Sequence, residues 1–91
     1  MAIELTDDLI ALERTAWTAW LELERMKAEN GKPTAWTHEQ RAAWDAQWKV
    51  WGEAADAFQA AATAHAEATG QGRYSVEMAV KKAVRHPEDA A

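Results

Sequence analysis

The chain has 91 residues, 48% of them apolar, enough for one small domain with a modest core and too apolar for disorder throughout. A formal net charge of −5 argues against nucleic acid as the main partner, and the absence of cysteine removes disulfides and thiol chemistry. No run approaches the roughly 18 apolar residues of a membrane span, and the opening MAIELTDD lacks a basic-then-apolar signal, so a cytoplasmic location without membrane contact is expected.

The first helix is expected over 6–29. Thr6 or Asp7 can cap it, and Asp7 and Asp8 suit the positive end of the helix dipole. Leu5, Leu9, Leu12, Ala16, Ala19, Leu23 and Met26 follow in alternating steps of four and three, a coiled-coil-like seam with Trp17 and Trp20 beside it. Asn30-Gly31-Lys32-Pro33 ends the helix, because Gly supplies a left-handed C-cap and Pro cannot continue it.

The second helix is expected over 37–69. Thr37 and Gln40 form a capping-box pattern, with Trp36 in the place of a hydrophobic staple opposite the imperfect partner Arg41. Two apolar rows run along it. One is Trp44, Trp48, Trp51, Ala55, Phe58, Ala62 and His65; the other is Val50, Ala54, Ala57, Ala61, Ala64 and Ala68. Both rows keep phase across Gly52, which predicts an unbroken helix despite a cost of about 1 kcal/mol relative to Ala.

Gly70-Gln71-Gly72 makes the second turn, and Ser75 is expected to cap a short third helix over 75–85. Its apolar face is Val76, Met78 or Ala79, Val80, Ala83 and Val84, with Glu77 and Lys81 as an i,i+4 pair. Pro87 ends it, and Glu88 to Ala91 are expected to fray.

The short first loop predicts an antiparallel hairpin, so the fold class is all-α: a long helical hairpin plus a short third helix, a three-helix bundle in one domain over 1–91. Ala16 and Ala19 then fall near Trp48 and Trp51, and Leu9 and Leu12 near Ala55 and Phe58, large beside small. The third helix is expected to cover Ala61, Ala64 and Ala68. Trp44, Trp48 and Trp51 read as core; Trp17, Trp20 and Trp36 lie off the seam and read equally as core or interface.

No residue set carries recognisable chemistry. His65 has too few converging partners for a metal site and reads as a structural histidine. His38 and His86 sit at helix ends, Glu53 and Asp56 read as solvated carboxylates, and Gly70-x-Gly72 lacks the strand and glycines of a phosphate loop. No enzyme activity, catalytic residue, metal or cofactor is expected. Val50, Ala54 and Ala57 are left without intrachain cover, so they are the expected self-association row, with Trp17 and Trp20 as its rim. Arg73, Lys81, Lys82 and Arg85 gather positive charge near the C-terminus and are the candidate phosphate contacts of a nucleic-acid-binding alternative.

Two resemblances add to this. The segment Trp51-Gly52-Glu53-Ala54-Ala55-Asp56-Ala57-Phe58-Gln59-Ala60-Ala61 resembles the second half of the small secreted WXG100 helical hairpins. It departs from them in having Trp and Gly adjacent rather than as Trp-x-Gly at a turn, and Tyr74-Ser75-Val76-Glu77 departs from their Tyr-x-x-x-Asp/Glu tail. Ile3-Glu4-Leu5-x-Asp7-Asp8-Leu9-Ile10, Ala64-His65-Ala66-Glu67-Ala68-Thr69-Gly70-Gln71 and Arg73-Tyr74-x-Val76-Glu77 resemble small helical proteins of streptomycete-type actinobacteria, a likeness that brings no function with it. The function expected is a helical module that forms a homodimer or binds another protein.

Overall fold

The structure, a computed structural model, describes residues 3–89. What the sequence suggests for the first two residues and for Ala90 and Ala91 lies outside them. Among the described residues the chain is all-α: α1 spans Asp7–Asn30, α2 His38–Thr69 and α3 Arg73–Arg85.

The helix ends follow local chemistry. Thr6 Oγ1 accepts the Leu9 N–H at 3.2 Å and caps α1, and Gly31 closes it at φ 74°. Thr37 and Gln40 form the expected capping box, each side chain bonded to the other's backbone N–H. Gly70 ends α2 in the left-handed conformation that favours glycine. The staple position is filled in an unexpected way: the Arg41 guanidinium lies over the Trp36 ring at 5.6 Å and also donates to the Pro33 carbonyl. Pro33–Ala35 form one 3-10 turn in the loop, and Trp36 Nε1 donates to the Gly31 carbonyl.

Three details of the C-terminal part differ from expectation. Ser75 does not cap α3; the helix starts two residues earlier, with Gly72 at its N-cap and no side-chain bond there. Glu77 pairs with Arg73 at 3.4 Å rather than with Lys81. Pro87–Asp89 form a 3-10 turn instead of a frayed end.

The long second helix is unbroken at Gly52, and its 32 residues, about 48 Å of helix, set the 50 Å long dimension of the molecule. The core lies at one end of it. Leu9, Phe58, Ala62, Ala66, Val76 and Val80 form the buried cluster where all three helices meet. The third helix therefore settles over Ala62 and Ala66; Ala61 is half-buried, while Ala64 and Ala68 stay exposed. The reason is side-chain direction: Val76 and Val80 point between α1 and α2, into the groove, not onto the outer row of α2. Ala79 rather than Met78 completes the inner face, with Met78 46% exposed.

The other half of the hairpin is only two helices thick. No residue of α2 before Phe58 is buried, although α1 buries Ala16, Ala19 and Leu23 there. Gln47 Nε2 donates to the Ala19 carbonyl at 3.0 Å and ties the helices together in this half. At the far end His65 Nε2 meets the Glu4 carbonyl at 2.8 Å, a structural role of the kind its position predicts.

Candidate interaction face and polar cavity

The two-helix half carries a continuous run of tryptophans. Trp36 packs on Trp44 with ring centroids 5.2 Å apart, Trp44 on Trp48 at 6.1 Å, Trp48 on Trp51 at 5.1 Å, and Trp51 on Trp20 of α1 at 5.3 Å. These separations lie in the favourable range for aromatic pairs. Steps of four and three place Trp44, Trp48 and Trp51 on one face of α2, and Trp36 precedes that face in the loop. The assignment of all three to the core is corrected here. Trp44 and Trp51 are half-buried, and Trp48 is 48% exposed: among the described residues α3 reaches this face only with its last residue, Arg85, beside Trp48 and Trp51.

Trp17 and Trp20 join Trp48, Trp51 and Arg85 around one depression. Val50, Ala54 and Ala57 do not line it. Val50 precedes Trp51 by one residue and is turned about 100° round the helix from it. Val50 is 51% exposed, Ala54 half-buried and Ala57 exposed.

A second feature, which the sequence reading did not identify, stands where α3 ends. Glu13 of α1 is 1% exposed, and its Oε1 accepts a bond from Arg85 Nη2 at 3.2 Å. The Arg85 guanidinium also lies over the Trp17 ring at 4.4 Å. Glu13 Oε2 and Arg85 Nε are buried without a hydrogen-bond partner. Beside this pair, a cavity of about 310 Å³ opens between the three helices. Glu13, Glu77, Asp56, Lys81 and Arg85 supply its charged wall, and Trp51 and Phe58 are among its apolar lining. Glu13 and Glu77 are the two buried charged residues among those described.

The candidate phosphate contacts do not form one open cluster. Arg73 and Arg85 lie at opposite ends of α3, about 18 Å apart along the axis, and are engaged by Glu77 and Glu13. Lys81 is half-buried at the polar cavity, and Lys82 is exposed. Among the described residues no helix is long and apolar enough to cross a membrane. None of their His, Asp and Glu side chains gather in threes as metal ligands would.

No family model matches the chain, and no curated protein or solved structure is similar enough to count as a relative.

Proposed function

We propose that the chain is a non-enzymatic, cytoplasmic self-association module, a two-fold dimer in which the tryptophan-bearing halves of two hairpins pack on each other. The observation that carries this reading is the run of five ring-to-ring tryptophans on the half of the hairpin that α3 leaves bare, with Trp48 about half exposed at its centre. Aromatic side chains grouped on an open face are the usual anchors of protein interfaces.

Length supports a second copy as the occupant. The third helix, with 13 residues, reaches about 20 Å, which leaves roughly 28 Å of α2 beyond its end. The bare stretch is equally long in both copies. Antiparallel apposition lets each cover the other, making four helices in cross-section where one chain has two, with α3 of each copy abutting an end. The same patch serves both partners, as two-fold closure requires. The nucleic-acid alternative has less support, since two of its four cations already face carboxylates.

Sedimentation velocity tests this on the wild type, on Trp48→Glu, and on the double variant Ala54→Glu with Ala57→Glu. Dimer mass is expected for the wild type and the double variant, and monomer mass for Trp48→Glu with its helicity kept. A monomeric wild type sinks the proposal. Dissociation of the double variant alone moves the interface to the Val50 row.

A further inference from the structure

We propose that the cavity between the three helices binds a small organic monocation, a primary ammonium attached to an apolar or aromatic group. Glu13 carries the argument. It lines the cavity, is 1% exposed, and its Oε2 has no hydrogen bond. A buried carboxylate oxygen without a donor is costly, and an ammonium is a charged donor that can supply the missing bond beside Arg85.

The wall is strongly charged, with Glu13 its most deeply buried carboxylate. It presents three carboxylates, Glu13, Asp56 and Glu77, against two cations, Lys81 and Arg85. Arg73 pairs with Glu77 from outside and Asp56 is exposed to water, which leaves Glu13 as the buried carboxylate with an unbonded oxygen. The three carboxylates do not converge as metal ligands. The remaining wall suits the body of an organic cation instead: Trp51 and Phe58 offer aromatic surface, which attracts both an apolar group and a positive charge. At about 310 Å³ the cavity stands at the small end of ligand pockets, roughly 300–1,000 Å³, and so suits a fragment-sized amine.

The site is distinct from the proposed dimer face, although Trp51 and Arg85 border both. Trp48, the centre of that face, does not line the cavity. Binding should therefore persist in the Trp48→Glu variant.

The test is an NMR titration of the ¹⁵N-labelled chain with benzylammonium, and with benzyl alcohol and benzoate as neutral and anionic counterparts. Saturable shifts at the Trp51 indole N–H and the Glu13 and Phe58 amides are expected with benzylammonium alone, at a dissociation constant of about a millimolar or lower. Glu13→Gln keeps the side-chain shape and should weaken binding about tenfold. Ala55→Leu leaves Glu13 in place, fills the cavity and should abolish binding; it decides the matter if Glu13→Gln does not fold. Absence of saturable shifts, an equal response to benzyl alcohol, or undiminished binding in Ala55→Leu would overturn the proposal and leave Arg85 as the sole partner of Glu13.

Discussion

Replacing Arg85 by Leu should destabilise the fold far more than replacing Glu13 by Leu, although the two residues form one ion pair. The asymmetry follows from exposure. The Glu13 side chain is 2% exposed and that of Arg85 34%. Without Arg85, the Glu13 carboxylate stays buried with no countercharge. Breaking a buried pair in this way costs about 3–5 kcal/mol, and partial access of water at the arginine side lowers this to about 2–3 kcal/mol. Loss of the guanidinium from the Trp17 ring adds about 0.5–1 kcal/mol. Without Glu13, the flexible arginine turns its head to water while its stem continues to cover Trp17, so Glu13→Leu should lie within about 1 kcal/mol of the wild type. The double variant Glu13→Leu with Arg85→Leu should be near neutral, since a buried pair exchanged for apolar groups of similar size often is. Urea unfolding followed by far-UV circular dichroism measures all four proteins. Equal losses in the two single variants, or a double variant no more stable than Arg85→Leu, would refute the reasoning.

Other positions give independent checks by the same unfolding assay. A Cβ added at Gly52 meets open space within α2, so Gly52→Ala should stabilise the chain by about 1 kcal/mol; destabilisation would mean that another backbone approaches this point. Thr37→Ala removes half of the capping box and should cost about 1 kcal/mol. Phe58→Ala at the three-helix cluster should cost about 3–5 kcal/mol, whereas Val50→Ala on the open row should stay within about 0.5 kcal/mol in the monomeric Trp48→Glu background. The hydrogen bond from Arg25 holds the Glu22 carboxyl below the ordinary glutamate range. The stabilisation from that pair is present above the unfolded-state value and is lost as pH falls through the depressed one. A ¹³C-detected titration should show Glu22 returning to the ordinary range in Arg25→Gln.

The architecture was legible because it is written in local signals. Thr6, Thr37, Gly31 and Gly70 mark helix ends through caps that involve residues only a few positions away. The four-three spacing of the α1 seam gave its inner face, and phase across Gly52 gave the unbroken α2. The start of α3 was missed because Gly72 caps it without a side-chain bond, while Ser75 offered a stronger local pattern than the chain uses. The tryptophans were misjudged for a different reason. Spacing gives the face a residue shares, but whether that face is covered depends on where α3 ends, a tertiary matter. The Glu13–Arg85 pair spans 72 positions of sequence, and a single glutamate beside an apolar seam reads like any surface charge. In the row proposed for self-association Val50 and Ala57 are exposed and Ala54 is half-buried, while Trp17 and Trp20 line a depression with Trp48, Trp51 and Arg85.

Association through the tryptophan face is tested most directly by paramagnetic broadening between copies. The chain contains no cysteine, so a Glu24→Cys variant takes one nitroxide label, on the same side of α1 as Trp17 and Trp20 by its spacing of seven and four. Labelled, ¹⁵N-free protein is mixed with unlabelled, ¹⁵N-enriched protein, so that any broadening arises between molecules. The indole signals of Trp20, Trp44 and Trp48 should broaden, while a nitroxide at Thr63→Cys should leave them sharp. Sharp indole signals with the label at position 24, at concentrations where sedimentation reports a dimer, would contradict association through this face.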